Sequence, residues 1–162
     1  MVIHLTTVIH APKEIIFNLS RSIDLHKIST AQTSEEAIAG TTTGLIAFNE
    51  TVTWKAKHLF KNRTMTVKIT HMEPYQYFED AMQEGDFKSF RHEHHFKQME
   101  NGTIMTDLVE FESPFGFFGT CIDNFFMAKY LEKLLKIRNQ TIKQFAENGE
   151  WKKLPGMLPL LA

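Results

Sequence analysis

The chain has 162 residues, of which 43% are hydrophobic, and its formal net charge at pH 7 is -1. A chain of this length is most simply one domain with a sizeable core, and a charge near zero gives no reason to expect a nucleic-acid partner. No apolar run approaches the roughly 20 residues that cross a bilayer, so no integral membrane segment is predicted. The single cysteine, Cys121, excludes an intramolecular disulfide, and we expect a cytoplasmic protein.

The N-terminal segment predicts one strand followed by two short helices. Val2–Ile9 is rich in β-branched residues and predicts a strand. Pro12 suits the first position of a helix, so residues 13–19 are predicted as a short helix and Ile23–Ser29 as a second one. Residues 36–39 form a candidate short strand.

From residue 45 onward the hydrophobic period changes to two, which is typical of half-buried strands. In each of two segments the apolar residues are an even number of positions apart. The first segment has Ile46, Phe48, Val52, Trp54 and Ala56, and the second has Met65, Val67 and Ile69. Further strands are predicted at 75–83, 87–98 and 103–111, with turns at 84–86 and at Asn101-Gly102. The middle of the chain is therefore predicted as a meander of about six strands.

The Asn101-Gly102 turn predicts a strand register. A two-residue loop there would pair Phe96 with Asp107, His94 with Val109 and His92 with Phe111. The face with the polar set Arg91, Glu93, His95 and Lys97 should point to solvent. The other face should point inward, with Phe90, His92, His94, Phe96, Met105, Asp107, Val109 and Phe111, and the turn at 84–86 should add Phe78, Asp80 and Met82.

Residues 120–148 predict one long amphipathic helix that ends at Asn148-Gly149. Its predicted apolar stripe contains Ile122, Phe126, Tyr130, Leu134, Ile137, Thr141 and Phe145, widened by Phe125, Leu131 and Ile142. The tail at 151–162 is too short to span a membrane and too rich in proline to continue the helix. We expect this tail to pack against its own domain or against a second copy, so a homodimer is one alternative.

Several short sequence motifs, in the order of the predicted helices and strands, indicate a family resemblance. They are Ala11-Pro12, Gly44-x-Ile46 leading to Trp54, Phe78-x-Asp80 with Gly85-x-Phe87, His92-x-His94-x-Phe96, Gly102-Thr103-x-Met105-x-Asp107 and Ser113-Pro114-x-Gly116. Together they resemble the SRPBCC superfamily of START-type and birch-pollen-allergen-like helix-grip proteins, within it the branch labelled polyketide cyclase or dehydrase-like. The resemblance implies an α+β fold with about six to seven antiparallel strands in a curved sheet around the C-terminal helix. It covers about residues 1–148, so one domain is expected at 1–150, followed by the tail.

The resemblance also implies a cavity between the sheet and the long helix for an apolar or aromatic small molecule. Residues expected to contact that ligand are Trp54, Phe78, Phe90, His92, His94, Met105, Asp107, Phe111, Phe126 and Tyr130. A binding module, either a carrier or a sensor, is the leading interpretation. The alternatives are an enzyme, namely a cyclase, dehydratase or hydrolase acting on an aromatic or polyketide-like compound, and a protein-interaction role without a small ligand.

The histidine-rich strand allows two chemical interpretations. His92 and His94 share a face, as zinc ligands would, but a third ligand would have to come from Asp107, His58 or His71. We therefore predict hydrogen-bonded cavity histidines, with no metal and no cofactor. If the protein is an enzyme, His94 and Asp107 are the candidate acid–base pair, because the predicted register makes them diagonal neighbours.

Overall fold

A computed structural model of the chain describes residues 1–58, 61–113 and 120–157. Its N-terminal elements are β1 (Val2–Ile9), α1 (Lys13–Ser20), α2 (Ile23–Ser29) and a 3-10 turn (Ala31–Thr33). The strands that follow are β2 (Glu36–Gly40), β3 (Thr51–His58), β4 (Lys61–Glu73), β5 (Tyr77–Glu84), β6 (Ser89–Met99) and β7 (Gly102–Glu112). The long helix α3 (Thr120–Asn148) and a second 3-10 turn (Glu150–Lys153) complete the chain.

The strands form one curved antiparallel sheet of seven strands in the order β1-β7-β6-β5-β4-β3-β2. Helix α1 contacts β6, β7 and α3, and α3 also contacts β1 and α2, so the helices cover one face of the sheet. Phe17 of α1 makes edge contacts with Phe78 and Phe96, which joins this helix to the centre of the sheet. The predicted helix-grip architecture is confirmed.

The predicted register between β6 and β7 is wrong by two residues. Met99 pairs with Gly102, so Glu100 and Asn101 form the turn, and His94 pairs directly with Asp107. Gly102 is the first residue of β7 and not part of the turn. It has φ +151, and a Cβ there would come within 2.4 Å of the carbonyl oxygen of Ile9, so the position requires glycine.

The error in register leaves the assignment of the two faces intact. Side chains alternate with a period of two, so an even shift keeps each one on its face. The predicted inward residues of β7, from Met105 to Phe111, are buried, as are His92 and His94 of β6. Across β5, Phe78 pairs with His94 and Asp80 pairs with His92.

The third strand begins later than the sequence predicts, because a turn precedes it. The N–H of Glu50 donates to the carbonyl oxygen of Ala47, and β3 begins only at Thr51. Phe48 therefore precedes the strand and is 60% exposed, whereas Ile46 is buried.

The two halves of α3 pack differently, which corrects part of the predicted stripe. Ile142 and Ala146 are buried in the C-terminal half. In the N-terminal half, Phe125 and Phe126 are 60% and 55% exposed. The apolar pattern predicts burial along the whole helix, but the N-terminal half borders a cavity. The side chains of this half that pack on Ile3, Val109 and Phe111, such as Met127 and Leu131, are only partly buried.

The first part of the C-terminal tail packs on the domain. Gly149 has φ +80 directly after α3, in agreement with the predicted helix end. Trp151, Leu154 and Met157 are buried in the main core. Residues 158–162 lie outside the described part of the chain, and the homodimer stays a prediction. Within the described residues, no helix combines the length and the apolar character needed to cross a membrane.

Candidate functional site

A cavity of about 500 Å³ lies between the sheet and the N-terminal half of α3. Its apolar wall comes from inward positions of β3 and β4, such as Val52, Trp54 and Val67, and from leucines of α3. The ring of Trp54 is stacked on His26, with 4.2 Å between ring centroids, which holds one side of the wall in place. Two packed layers therefore leave an apolar space between them.

Seven of the residues predicted to contact a ligand line this cavity: Trp54, Phe78, Phe90, His92, His94, Phe126 and Tyr130. Three others lie behind the wall. Met105 is fully buried, and the hydroxyl of Ser20 donates to its sulfur at 3.4 Å. Phe111 packs with Ile3 and Val109 in a second apolar cluster.

The third residue behind the wall, Asp107, is the centre of a buried polar cluster. Its Oδ1 accepts a hydrogen bond from Nε2 of His92 at 2.9 Å. The Nδ1 of His94 is also 2.9 Å from the same oxygen, but it points in a direction that forms no hydrogen bond and has no other partner. The opposite nitrogen of His94, Nε2, lies 3.1 Å from Oδ2 of Asp80.

Two polar side chains of α3 support Asp107 from the helix. The side-chain amide of Asn139 donates to Oδ2 of Asp107 at 2.7 Å, and Nη1 of Arg138 lies 3.5 Å from Oδ1. Arg138 also donates to the carbonyl oxygen of Ser20 at 2.7 Å, which ties α3 to the end of α1. Both side chains are buried.

Sequence reasoning missed Arg138 and Asn139, although a signal was present. A helical face drawn through Leu135, Ile142 and Ala146 has the spacing of three and four residues that includes both positions. The predicted stripe instead followed the larger apolar residues on a neighbouring face. A polar residue within the correct spacing indicates a buried hydrogen-bonded group.

The charges of the cluster follow from its contacts. Burial raises the pKa of Asp107, but the hydrogen bond from His92 and the proximity of His94 outweigh this effect and hold the pKa well below its usual value. Burial likewise opposes ionisation of Asp80, whose pKa is nevertheless lowered by His94 and His92. The pKa of His92 is lowered by burial and by the neighbouring His94. The guanidinium of Arg138 also faces both carboxylates and helps to lower the pKa of Asp80.

Asp80 extends the cluster into the cavity. It lines the cavity, and its side chain is 17% exposed, whereas that of Asp107 is fully enclosed. His71, considered above as a third metal ligand, is 69% exposed on the outer face and contacts Glu79 at 3.2 Å. The side chain of His58 lies outside the described part of the chain. The lining of the cavity is mainly apolar, and Asp80, His92 and His94 form its polar end next to Asp107. Other polar side chains, among them His26, Glu35 and Arg63, line further parts of the cavity.

No protein-family model matches the sequence, and no curated protein matches it. Solved structures do match. TTHA0849 from Thermus thermophilus is 18% identical with a TM-score of 0.69, covering 88% of this chain and 97% of its own. A START superfamily protein from Mycobacterium smegmatis is 11% identical with a TM-score of 0.69, covering 91% and 97%. The major latex-like protein 151 of Panax ginseng is 14% identical with a TM-score of 0.64, covering 90% and 97%.

These likenesses extend over nearly the whole of each matched chain, at identities that establish the fold alone. They agree with the element order, the seven-stranded sheet and the long C-terminal helix. The chain therefore has the helix-grip fold that the resemblance to START-type and birch-pollen-allergen-like proteins predicts.

Proposed function

We propose that this protein binds an apolar or aromatic small molecule that carries one polar group, in the cavity between the sheet and α3. The observation that carries the proposal is a cavity whose lining is mainly apolar and includes the polar cluster of Asp80, His92 and His94. Its volume of about 500 Å³ is within the usual range of small-molecule sites, which is roughly 300 to 1,000 Å³. The fold supports ligand binding in general terms, because the solved structures that share it include a START superfamily protein.

Each group of lining residues has a separate proposed role. Trp54, Phe78, Phe90, Phe126 and Tyr130 would contact the apolar body of the ligand and supply most of the buried area. The polar end would orient the ligand by hydrogen bonds, since buried donors and acceptors discriminate strongly against groups that leave them unpaired. Met105, Asp107 and Phe111 would act behind the wall by holding these side chains in position.

The first experiment looks for the ligand itself. Native mass spectrometry of the purified full-length chain should show an added mass that disappears after extraction with organic solvent. The extract then identifies the compound. If no mass is added, the cavity can still be tested with a fluorescent apolar probe, anilinonaphthalene sulfonate.

The probe experiment uses the cavity tryptophan as a reporter. Trp54 lines the cavity, whereas Trp151 is buried in the core and is not part of the lining. In a Trp151→Phe background, the probe should quench Trp54 fluorescence by energy transfer. Val67→Phe should fill the space and weaken binding, while the matched change Val8→Phe on the 42% exposed Val8 should not. Equal binding by both variants would contradict the proposal and favour a protein-interaction role.

An enzyme is the second candidate, and one observation favours it. His92 lines the cavity and donates to the buried carboxylate of Asp107, which is how a carboxylate orients a histidine for proton transfer. The reaction would be a cyclisation, dehydration or hydrolysis of the bound compound. Incubating the identified ligand with the protein, and with Asp107→Asn, would reveal conversion that depends on the carboxylate. Absence of conversion by the unmodified protein would leave the binding function.

A further inference from the structure

We propose that Asp80, His92 and His94 bind a divalent transition-metal ion at the polar end of the cavity. One donor atom from each of the three residues lies within 4.8 Å of the donors of the other two. His92 and His94 are 7% and 1% exposed, and Asp80 lines the cavity. This goes beyond the binding of an organic ligand and revises the prediction of no metal made from the sequence, because the pairing of β5 with β6 supplies Asp80 as a third donor.

Two of the three separations between donor atoms are close to those around a tetrahedral zinc ion. Nε2 of His94 is 3.1 Å and Nδ1 of His92 is 3.9 Å from Oδ2 of Asp80. Nitrogen and oxygen ligands lie about 2.0 to 2.2 Å from zinc, so two tetrahedral ligands are about 3.4 Å apart. The two separations lie on either side of that value. Small rotations of the side chains would bring all three donors into contact with one ion.

The remaining ring nitrogens both lie close to one carboxylate. Nε2 of His92 and Nδ1 of His94 are each 2.9 Å from Oδ1 of Asp107. Histidines that bind metals almost always present the second nitrogen to a carboxylate or carbonyl, which fixes the tautomer and leaves the other nitrogen for the metal. Here that arrangement leaves Nδ1 of His92 and Nε2 of His94, which are the two nitrogens directed at Asp80.

The two nitrogens of His94 have different surroundings. Nε2 lies 3.1 Å from Oδ2 of Asp80, on the side of the proposed ion, and Nδ1 lies 2.9 Å from Oδ1 of Asp107. Nδ1 is buried without a hydrogen-bond partner. With a metal on Nε2, the proton would reside on Nδ1 and could be donated to Asp107 after a small rotation of the ring.

The charge of the site and its position on the cavity wall agree with this assignment. Asp80 and Asp107 place two carboxylates in contact with the two histidines, and carboxylates near the donor atoms favour a bound cation. Two histidines and one carboxylate also make an incomplete coordination shell. The remaining position would face the cavity, as in catalytic metal sites with three protein ligands and one exchangeable position. An oxygen of the bound small molecule could occupy it.

The test uses the metal alone, so its result is independent of any organic ligand. Full-length protein is treated with a chelator, desalted and titrated with Co²⁺, whose visible absorption reports coordination by nitrogen and oxygen. We expect one equivalent to bind, Zn²⁺ to displace it, and Zn²⁺ to raise the melting temperature of the protein. No cobalt absorption together with no stabilisation by Zn²⁺ would overturn the proposal, while probe binding in the cavity would be unaffected.

Matched variants locate the site. Asp80→Asn and His92→Gln should abolish the cobalt absorption, and Asp107→Asn should weaken affinity by about 10- to 100-fold, the usual effect of losing a partner behind a ligand. His95→Gln is the control, because His95 lies on the same strand, is 47% exposed and contacts Glu93 on the outer face. Circular dichroism verifies that each variant is folded. Unchanged metal binding by folded Asp80→Asn and His92→Gln would place the ion elsewhere and refute the assignment.

Discussion

The different packing of the two halves of α3 predicts different costs for shortening an apolar side chain in each half. Ile142 is 1% exposed in the C-terminal half and belongs to the main core. Leu134, in the N-terminal half, is only partly buried and lines the cavity. The sequence alone predicts both within one buried stripe and therefore similar effects. The structure predicts that Ile142→Ala destabilises the protein much more than Leu134→Ala.

The magnitudes follow from the atoms that each side chain contacts. Shortening a fully buried isoleucine to alanine removes packed methyl groups and leaves a void, at a cost of about 2 to 5 kcal/mol. Leu134 already faces empty space, so its loss removes fewer contacts and should cost about 1 kcal/mol. For a domain of this size, each kcal/mol lowers the melting temperature by about 2 to 4 °C. We expect a decrease of about 10 °C for Ile142→Ala and about 3 °C for Leu134→Ala.

The assay is urea unfolding and thermal melting of both variants beside the unmodified chain, with probe binding measured on the same samples. Leu134→Ala should alter the affinity for an apolar probe, because it changes the cavity wall, while Ile142→Ala should leave the affinity unchanged wherever the protein is folded. Equal destabilisation by the two substitutions would refute the reasoning. It would mean that α3 packs uniformly and that the cavity closes in solution.

Three further predictions concern the polar cluster, the tail and acid stability. His94→Gln and Asp107→Asn should each weaken binding of the identified ligand by about 1 to 3 kcal/mol without unfolding the protein, as measured by calorimetric titration; substrate conversion that disappears while binding survives would favour the enzyme instead. Deletion of residues 152–162 should lower the melting temperature because it removes buried Leu154 and Met157; no change in melting temperature or in oligomeric mass would favour an external partner. Burial raises the pKa of Asp24, but hydrogen bonds, including one from the backbone N–H of Gly44 at 2.7 Å, outweigh burial and lower this pKa. The ionised Asp24 therefore stabilises the fold above a pH of about 4, and this stabilisation is lost as the pH falls. Asp24→Asn should therefore flatten the dependence of melting temperature on pH from about 5 to about 3, and an unchanged slope would show that this contact contributes nothing.

The positions of the helices and strands could be predicted from the sequence because the signals are local. Val2–Ile9 and Thr120–Asn148 have the bounds that β-branched content and helical spacing predict. The inner face of β6 and β7 was also predictable, since alternate residues point to the same side whatever the pairing partner is. For that reason His92, His94 and Asp107 could be assigned to the interior although the register was wrong by two residues.

The composition of the site depended on contacts between residues distant in the chain. Asp80 lies opposite His92 only because β5 and β6 pair in one particular register, and no local period specifies that register. The rotation of α3 that turns Arg138 and Asn139 inward is likewise set by partners on other elements, Asp107 and Ser20.

The sequence by itself therefore determined the order of helices and strands and the inward side chains, because hydrophobic periodicity acts over a few residues. The resemblance of that order to START-type proteins supplied the helix-grip class. Only the tertiary structure decided how completely each half of α3 is packed, which part of α3 borders the cavity and which polar groups meet at its polar end. The physical reason is that strand register and helix rotation minimise the free energy of the whole packed assembly, in which a buried carboxylate must find its donors wherever the chain supplies them.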